Sequence, residues 1–253
     1  MEIEITHSSP VVPRWGTLGT VLWTLLLAAL FVIVQSVVVL VAVQSENPEV
    51  PLDQLDFAEA GVNNGNMLAL ATTATTFVVL PLLLGVIKLK RGSKVADYFA
   101  LRSVTLKTTL FWVAAALFLV AIGDVVKWLY GMPIMVNFVL DTYKTMGSVS
   151  LFFLAIVVLA PVTEELFCRG FMISGLQRGF IGPVGAVTLS SLLWAAMHVQ
   201  YGIFDIAFIF MLGCLLGASR LLTGSIYPAI VAHVSINFLS YSGAAIYLEL
   251  SST

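Results

Sequence analysis

The sequence predicts an all-α protein, a polytopic membrane helix bundle of seven to eight transmembrane helices, from three observations. Of its 253 residues, 59% are hydrophobic and only 10% are charged, with a mean hydropathy of +1.01; soluble domains carry about 25% charged residues. Several apolar runs reach the roughly 20 residues that cross a hydrocarbon core about 30 Å thick. These runs are continuous rather than alternating, which favours helices over a β-barrel.

Seven apolar runs mark the predicted spans. They cover about 17–43, 66–87, 108–130, 149–176, 182–201, 204–222 and 226–248. The first exceeds the roughly 7–15-residue apolar region of a signal peptide, so we predict a retained span. Tyr241, Ser242 and Gly243 offer an alternative in which the last run divides into two shorter helices and gives the eighth span. We expect a short disordered tail at 1–15 and a single transmembrane domain at 16–253.

The connections between the predicted spans differ in charge. The connection 44–65 has only acidic charged residues: Glu46, Glu49, Asp53, Asp56 and Glu59. The connection 88–107 holds six basic residues against the single Asp97. Loops rich in Lys and Arg stay in the cytoplasm, and nine of the twelve basic residues agree with one orientation. We therefore predict an integral membrane protein whose N-terminus is cytoplasmic.

The fourth run contains three charged residues, Glu164, Glu165 and Arg169. A charge at the bilayer centre costs roughly 2.5–3.5 kcal/mol on insertion scales, so intramembrane charges indicate a functional site. Residues four apart share a helix face, which predicts a Glu165–Arg169 ion pair and leaves Glu164 to face elsewhere. A packing clamp made of all three is the alternative. Pro161 should interrupt this helix and free backbone groups beside a cavity.

Other intramembrane polar residues lie in later runs. His198 falls in the fifth, and His233 and Asn237 lie one turn apart in the last. A carboxylate and an imidazole can activate water, and a His–Asn pair can stabilise an oxyanion, which together suit peptide-bond hydrolysis. The same Glu and His residues could instead bind a divalent metal such as zinc with an open water position. A proton relay or a peptide-binding site, neither of them enzymatic, is a further alternative.

The sequence lacks two common hydrolase motifs, and two further residue pairs have structural interpretations. No HExxH or GxSxG sequence is present, which removes the zincin helix and the nucleophile elbow. Asp124 and Lys127 are three residues apart near a span end and are interpreted as a snorkelling pair. Gly213 and Gly217 form a small-xxx-small pair and predict close helix packing in the sixth span.

Three motifs in order resemble those of the CPBP intramembrane proteases, also called the CAAX prenyl protease 2 or Abi family, which include the Ras-converting enzyme. EExxxR is matched by Glu164–Arg169, an aromatic-xxx-His motif by Trp194–His198, and HxxxN by His233–Asn237. The resemblance covers a protease-like core at about 150–242. Trp194 stands where phenylalanine is usual, and Cys168 where an aromatic often precedes the arginine. We expect neither departure to touch a catalytic group.

The resemblance implies roles for the six polar residues. Glu164 and His198 would activate water, His233 and Asn237 would stabilise the oxyanion, and Glu165 with Arg169 would give structural support. Metal dependence stays open: if a metal is bound, Glu164, His198 and His233 would hold it, and a metal-free water mechanism is the alternative.

At the level of the whole protein, the resemblance implies an intramembrane endopeptidase that acts on a membrane-associated peptide or protein. Its expected partners are this substrate and the lipid bilayer, with no nucleic acid. Its expected location is a bacterial inner membrane, where such proteins are linked to peptide maturation and bacteriocin immunity. The alternative is a non-enzymatic protein, either a proton-coupled transporter or a peptide-binding immunity factor, that uses the same Glu and His cluster.

Overall fold

The computed structural model describes residues 13–46, 48–51 and 63–251, and within these ranges all regular secondary structure is helical. In chain order the helices are α1 Thr17–Glu46, α2 Gly65–Leu89, α3 Val95–Phe99, α4 Leu106–Leu129, α5 Asn137–Lys144, α6 Val149–Leu176, α7 Gly182–Ala196, α8 Ile203–Thr223 and α9 Tyr227–Ser251. Six of them (α1, α2, α4, α6, α8 and α9) are long and apolar enough to cross a membrane. The predicted all-α polytopic bundle is confirmed.

Helix α7 is shorter than the span predicted at 182–201. It has 15 residues, about 22 Å at a rise of 1.5 Å per residue, which is less than the hydrocarbon thickness. It ends at Ala196. Beyond this residue, the side chain of His198 bonds to a carbonyl of the last helical turn: Nδ1 lies 2.8 Å from the carbonyl oxygen of Trp194. In a continuing helix, that carbonyl would accept from the backbone N–H of His198. His198 therefore lies in the turn after the helix and not within a span.

Helix α9 runs unbroken through Tyr241, Ser242 and Gly243. The alternative in which the last run divides into two helices, giving an eighth span, is therefore wrong. The Tyr241 ring packs edge-on against Phe152, with centroids 4.9 Å apart, and its hydroxyl lies 3.4 Å from the hydroxyl of Thr142. These contacts hold the helix where Gly243 alone would weaken it by about 1 kcal/mol.

Three arginines, Arg14, Arg102 and Arg178, lie at one end of the bundle. Arg14 donates to the carbonyl of Asp97, and Ser225 donates to the carbonyl of Arg102. These bonds join the start of α1, the connection around α3 and the turn between α8 and α9. Burial lowers the pKa of the Arg14 guanidinium, and the nearby charge of Arg178 lowers it further.

Part of the predicted charge pattern lies outside the described residues: the acidic residues Asp53, Asp56 and Glu59, and residues 1–12 of the predicted N-terminal tail.

Helix α6 lies at the centre of the bundle. Half of its most apolar stretch is buried, compared with 11% for α1 and for α4. It packs against α1, α2, α7 and α9. The charged residues of α6 are therefore surrounded by protein, while α1 and α4 present most of their surface to lipid.

Helices α7 and α8 pack closely because α8 has glycines at the contact. A Cβ on Gly213 would lie 2.9 Å from the Cβ of Ser191, and one on Gly217 would lie 2.8 Å from Val187. Real Cβ atoms do not approach this closely. The small-residue packing face predicted in the sixth span is confirmed.

Candidate active site

Helix α6 changes its hydrogen-bonding pattern around the acidic pair. Ala160–Glu165 is α-helical, whereas Phe153–Leu159 before it and Leu166–Met172 after it are π-helical. π-Helical turns are rare in proteins and occur frequently at functional sites. Pro161 lies at the first of these changes, so the helix is interrupted where the sequence predicted it.

Asn237 fills the gap that Pro161 leaves in α6. The N–H of Ala160 donates five residues back, to the carbonyl of Ala155. By the same pattern, residue 161 would donate to Ile156, but proline has no N–H. The side-chain Nδ2 of Asn237 donates to the Ile156 carbonyl instead, at 2.9 Å. Asn237 therefore joins α9 to α6 and keeps one amide hydrogen for another acceptor.

Glu165 and Arg169 form a fully buried ion pair. Arg169 Nη1 donates to Glu165 Oε1 at 2.9 Å, and both side chains are 0% exposed. Arg169 Nη2 also donates to the carbonyl of Gly213 at 3.1 Å. The pairing predicted from the i, i+4 spacing is present, and it links α6 to α8.

Glu165 also fixes the ring of His233. Nδ1 of His233 lies 3.0 Å from Glu165 Oε1. A carboxylate paired with arginine can only accept, so Nδ1 carries the hydrogen and donates it. The other ring nitrogen, Nε2, then points towards Glu164, 4.0 Å from its Oε2.

Glu164 faces away from this buried pair. Its side chain is 21% exposed, whereas that of Glu165 is 0% exposed. Trp194 Nε1 donates to Glu164 Oε2 at 2.6 Å. No described residue donates to Oε1. The two adjacent carboxylates thus have separate surroundings, as their angle on the helix predicted.

His198 presents its second ring nitrogen to the same region. A backbone carbonyl only accepts, so Nδ1 of His198 donates to the Trp194 carbonyl. In the neutral ring, Nε2 is then an acceptor that can take a proton from water. The His198 ring packs against Trp194, with centroids 5.1 Å apart.

One cavity of about 1400 Å³ joins these side chains. Its lining includes all four residues for which the sequence predicted catalytic roles: Glu164, His198, His233 and Asn237. Most of the remaining wall is apolar and comes from α1, α2, α4 and α9. A partly exposed carboxylate and two imidazoles therefore share one cavity in the bundle.

A second ion pair lines the cavity, and it corrects a sequence prediction. Lys127 pairs with Asp205 of α8 and is buried, so it does not form the snorkelling pair predicted with Asp124. Asp205 begins α8 beside the end of α4 and so lies within reach of the lysine. Sequence spacing within α4 could not show this partner.

Two aromatic residues at the site were missed as contributors. Trp194 was expected to touch no catalytic group, and this was wrong, because it donates to Glu164. The sequence did contain a signal for this contact: Trp194 stands where phenylalanine is usual, and its ring carries an N–H. Tyr201 packs on His198, with centroids 5.9 Å apart. Burial raises its pKa well above the usual value, and nearby Tyr241 raises it further, so its hydroxyl stays protonated.

The arrangement does not favour the metal-ligand set predicted as an alternative. Among the residues that the structure describes, no group of three or more His, Cys, Asp or Glu side chains is placed to hold a metal ion. Because Nδ1 of His198 and Nδ1 of His233 donate hydrogen bonds, only Nε2 of each ring would be available to a metal. Glu164, His198 and His233 do not converge as one ligand set.

Comparisons with known proteins agree with the motifs. Residues 146–239 match the model of the Rce1-like family, whose description is "Type II CAAX prenyl endopeptidase Rce1-like". An "Uncharacterized 24.3 kDa protein" of Escherichia coli is 29% identical over 99 residues, which are 38% of this chain and 45% of that protein. The match thus spans less than half of that relative. No solved structure matches the chain. The predicted resemblance to the CPBP proteases is confirmed over residues 146–239, and the six apolar helices support an integral membrane protein.

Proposed function

We propose that this chain, whose residues 146–239 form an Rce1-like domain, is an intramembrane endopeptidase that hydrolyses a membrane-associated peptide or protein. One observation carries the proposal: Glu164, His198, His233 and Asn237 line a single cavity inside the helix bundle, and Glu164 Oε1 has no donor among the described residues. A cavity of about 1400 Å³ has room for an extended peptide segment and water. The match of residues 146–239 to the Rce1-like family supports a membrane protease at the level of the family.

In the proposed reaction, Glu164 and the free Nε2 of His198 activate a water molecule. The water oxygen bonds to the carbonyl carbon of the substrate, and its proton passes to Glu164 or His198. The C–N bond then breaks, and that proton goes to the leaving nitrogen. General acid–base catalysis of this kind contributes about 10²–10⁴-fold.

The developing oxyanion is assigned to His233 and Asn237. Asn237 gives one amide hydrogen to Ile156 and has a second for the oxyanion. His233 donates from Nδ1 to Glu165, so donation from Nε2 needs the doubly protonated ring, whose charge the two carboxylates offset. Removing one oxyanion donor costs about 10²–10³-fold in kcat in other hydrolases.

The proposal extends to location. We assign the chain to a bacterial inner membrane with its N-terminus in the cytoplasm. Arg14 and Arg102, which lie at the same end of the bundle as the start of α1, support this orientation.

The test uses purified protein in liposomes with a quenched peptide library. Glu164→Ala and His198→Ala should lower cleavage by about 100-fold or more. Glu46→Ala is the matched control, because this glutamate is exposed at the end of α1 and should leave the rate unchanged. Wild-type rates in both site variants would overturn the catalytic assignment.

A cellular experiment distinguishes cleavage from capture or transport. Peptides from cells with the wild type, without the gene, and with Glu164→Ala are compared by mass spectrometry. A precursor that accumulates in the last two identifies the substrate. Peptide binding or proton-coupled transport that persists in Asn237→Ala, with no product formed by the wild type, would favour the non-enzymatic alternative.

A further inference from the structure

Trp194 is the residue that contacts most of the site. It is 2% exposed and lies in the last turn of α7. Its ring centroid is 5.1 Å from the ring of His198 and 5.1 Å from that of His233, both nearly edge-on. On another side, the Arg169 guanidinium carbon lies 4.5 Å from the centroid, a cation–π distance. The ring thus contacts both histidines, and each lies nearly edge-on to it.

The indole N–H of Trp194 makes a hydrogen bond to Glu164, which is more directional than the ring contacts. Nε1 donates to Glu164 Oε2 at 2.6 Å, a distance typical of a hydrogen bond to a charged acceptor. An indole has a single donor and no acceptor, so this bond has only one sense. Because Oε2 is occupied by Trp194 and also faces His233, Oε1 is the oxygen left for water.

We propose that Trp194 is a positioning residue that fixes the rotation of the Glu164 carboxylate, so that Oε2 is held by the indole and Oε1 faces the reacting water. The inference rests on the proposed function, since it concerns how the same site works. The terminal torsion of a glutamate has a broad energy minimum, so an unheld carboxylate samples many rotations. Phenylalanine at this position would keep an aromatic ring in contact with the histidines but could not hold the carboxylate.

The kinetic test is Trp194→Phe in liposomes with a cleaved peptide. We expect kcat to fall by about 10- to 100-fold, the range for one lost hydrogen bond to a charged group. KM should change less than about twofold, because the lost N–H bonds Glu164 and phenylalanine keeps an aromatic ring at the cavity wall. Trp15→Phe is the matched control. Trp15 also donates one indole hydrogen bond, to the Val86 carbonyl at 3.0 Å, but does not line the cavity. Its kcat should stay at the wild-type value.

A near-isosteric replacement separates the N–H from the shape of the ring. Benzothienylalanine at position 194 keeps the bicyclic ring and has sulfur in place of N–H. We expect it to lose as much kcat as Trp194→Phe. If this variant or Trp194→Phe retained the wild-type kcat, the positioning role would be overturned.

A spectroscopic test does not depend on activity. The five tryptophans give five indole N–H signals in ¹H–¹⁵N spectra of the protein in micelles, and Trp194→Phe identifies one of them. Glu164→Gln replaces the charged acceptor, so this signal should move upfield while that of Trp15 stays. An unmoved signal would refute the hydrogen bond and the inference with it. A moved signal in a protein that cleaves nothing would leave the bond standing and reject the proposed function.

Discussion

Two ion pairs among the described residues, Glu165–Arg169 and Lys127–Asp205, differ in how they are built. Glu165 and Arg169 lie one turn apart on α6, and both side chains are 0% exposed. Lys127 and Asp205 join α4 to α8 at the cavity wall, and their side chains keep 8% and 20% exposure. The first pair follows from spacing along a single helix. The second depends on which helices meet, and the sequence assigned its lysine to Asp124.

The surroundings of the two pairs lead to different expected strengths. Arg169 is held by Glu165, by the carbonyl of Gly213 and by the face of Trp194. Lys127 has the single ion pair with Asp205, beside a cavity that can admit water. We therefore expect α6 to tolerate the loss of its cation far less than α4 does.

The largest effect should come from Arg169→Met. This change leaves the Glu165 charge buried beside His233 without its cation, and removing one partner of a buried pair costs about 3–5 kcal/mol. Thermal unfolding in detergent should show a large fall in stability. Arg91→Met changes an exposed arginine and should have little effect. Equal stability of the two variants would contradict the central role assigned to the pair on α6.

Gly213→Ala should have the next largest effect. The new Cβ would lie 2.9 Å from Ser191 and 3.1 Å from Arg169 Nη2, so α7 and α8 must separate, and overpacking of this kind costs about 1–3 kcal/mol. Gly85→Ala is the matched control in α2, because a Cβ there meets nothing within 4 Å. Unfolding temperatures should fall for the first and stay or rise for the second. A neutral Gly213→Ala would show that Arg169 does not need this close contact.

The smallest effect should come from Lys127→Met, at about 1–2 kcal/mol, between the values for exposed and buried pairs. Double-mutant cycles measured by unfolding identify the partner of the lysine. Lys127→Met combined with Asp205→Asn should show the larger coupling, whereas Lys127→Met combined with Asp124→Asn should show a smaller one, because Asp124 interacts with the lysine without an ion-pair contact. Coupling to Asp124 alone would restore the pairing that the sequence suggested.

The sequence predicted those features that one helix determines by itself. The long spans, the interruption at Pro161 and the Glu165–Arg169 pair all follow from apolar length, a missing N–H and i, i+4 spacing. Several contacts between helices were missed: that of Trp194 with Glu164 depends on how α7 packs against α6, and that of Lys127 with Asp205 depends on how α4 meets α8. The early end of α7 was also missed, because the sequence does not show that the His198 ring bonds the Trp194 carbonyl. The catalytic roles of the site residues stay proposals.

The hydrogen bond between Asn237 and the Ile156 carbonyl limits how the bundle can open to a substrate. If α9 slid along α6, this carbonyl would lose a donor that Pro161 cannot supply. We therefore expect the two helices that carry Glu164 and His233 to move together. We expect a substrate to enter past α1 and α4, which line the cavity and are buried over only 11% of their most apolar stretches. The route of entry could then change while the carboxylate and the imidazole keep their alignment.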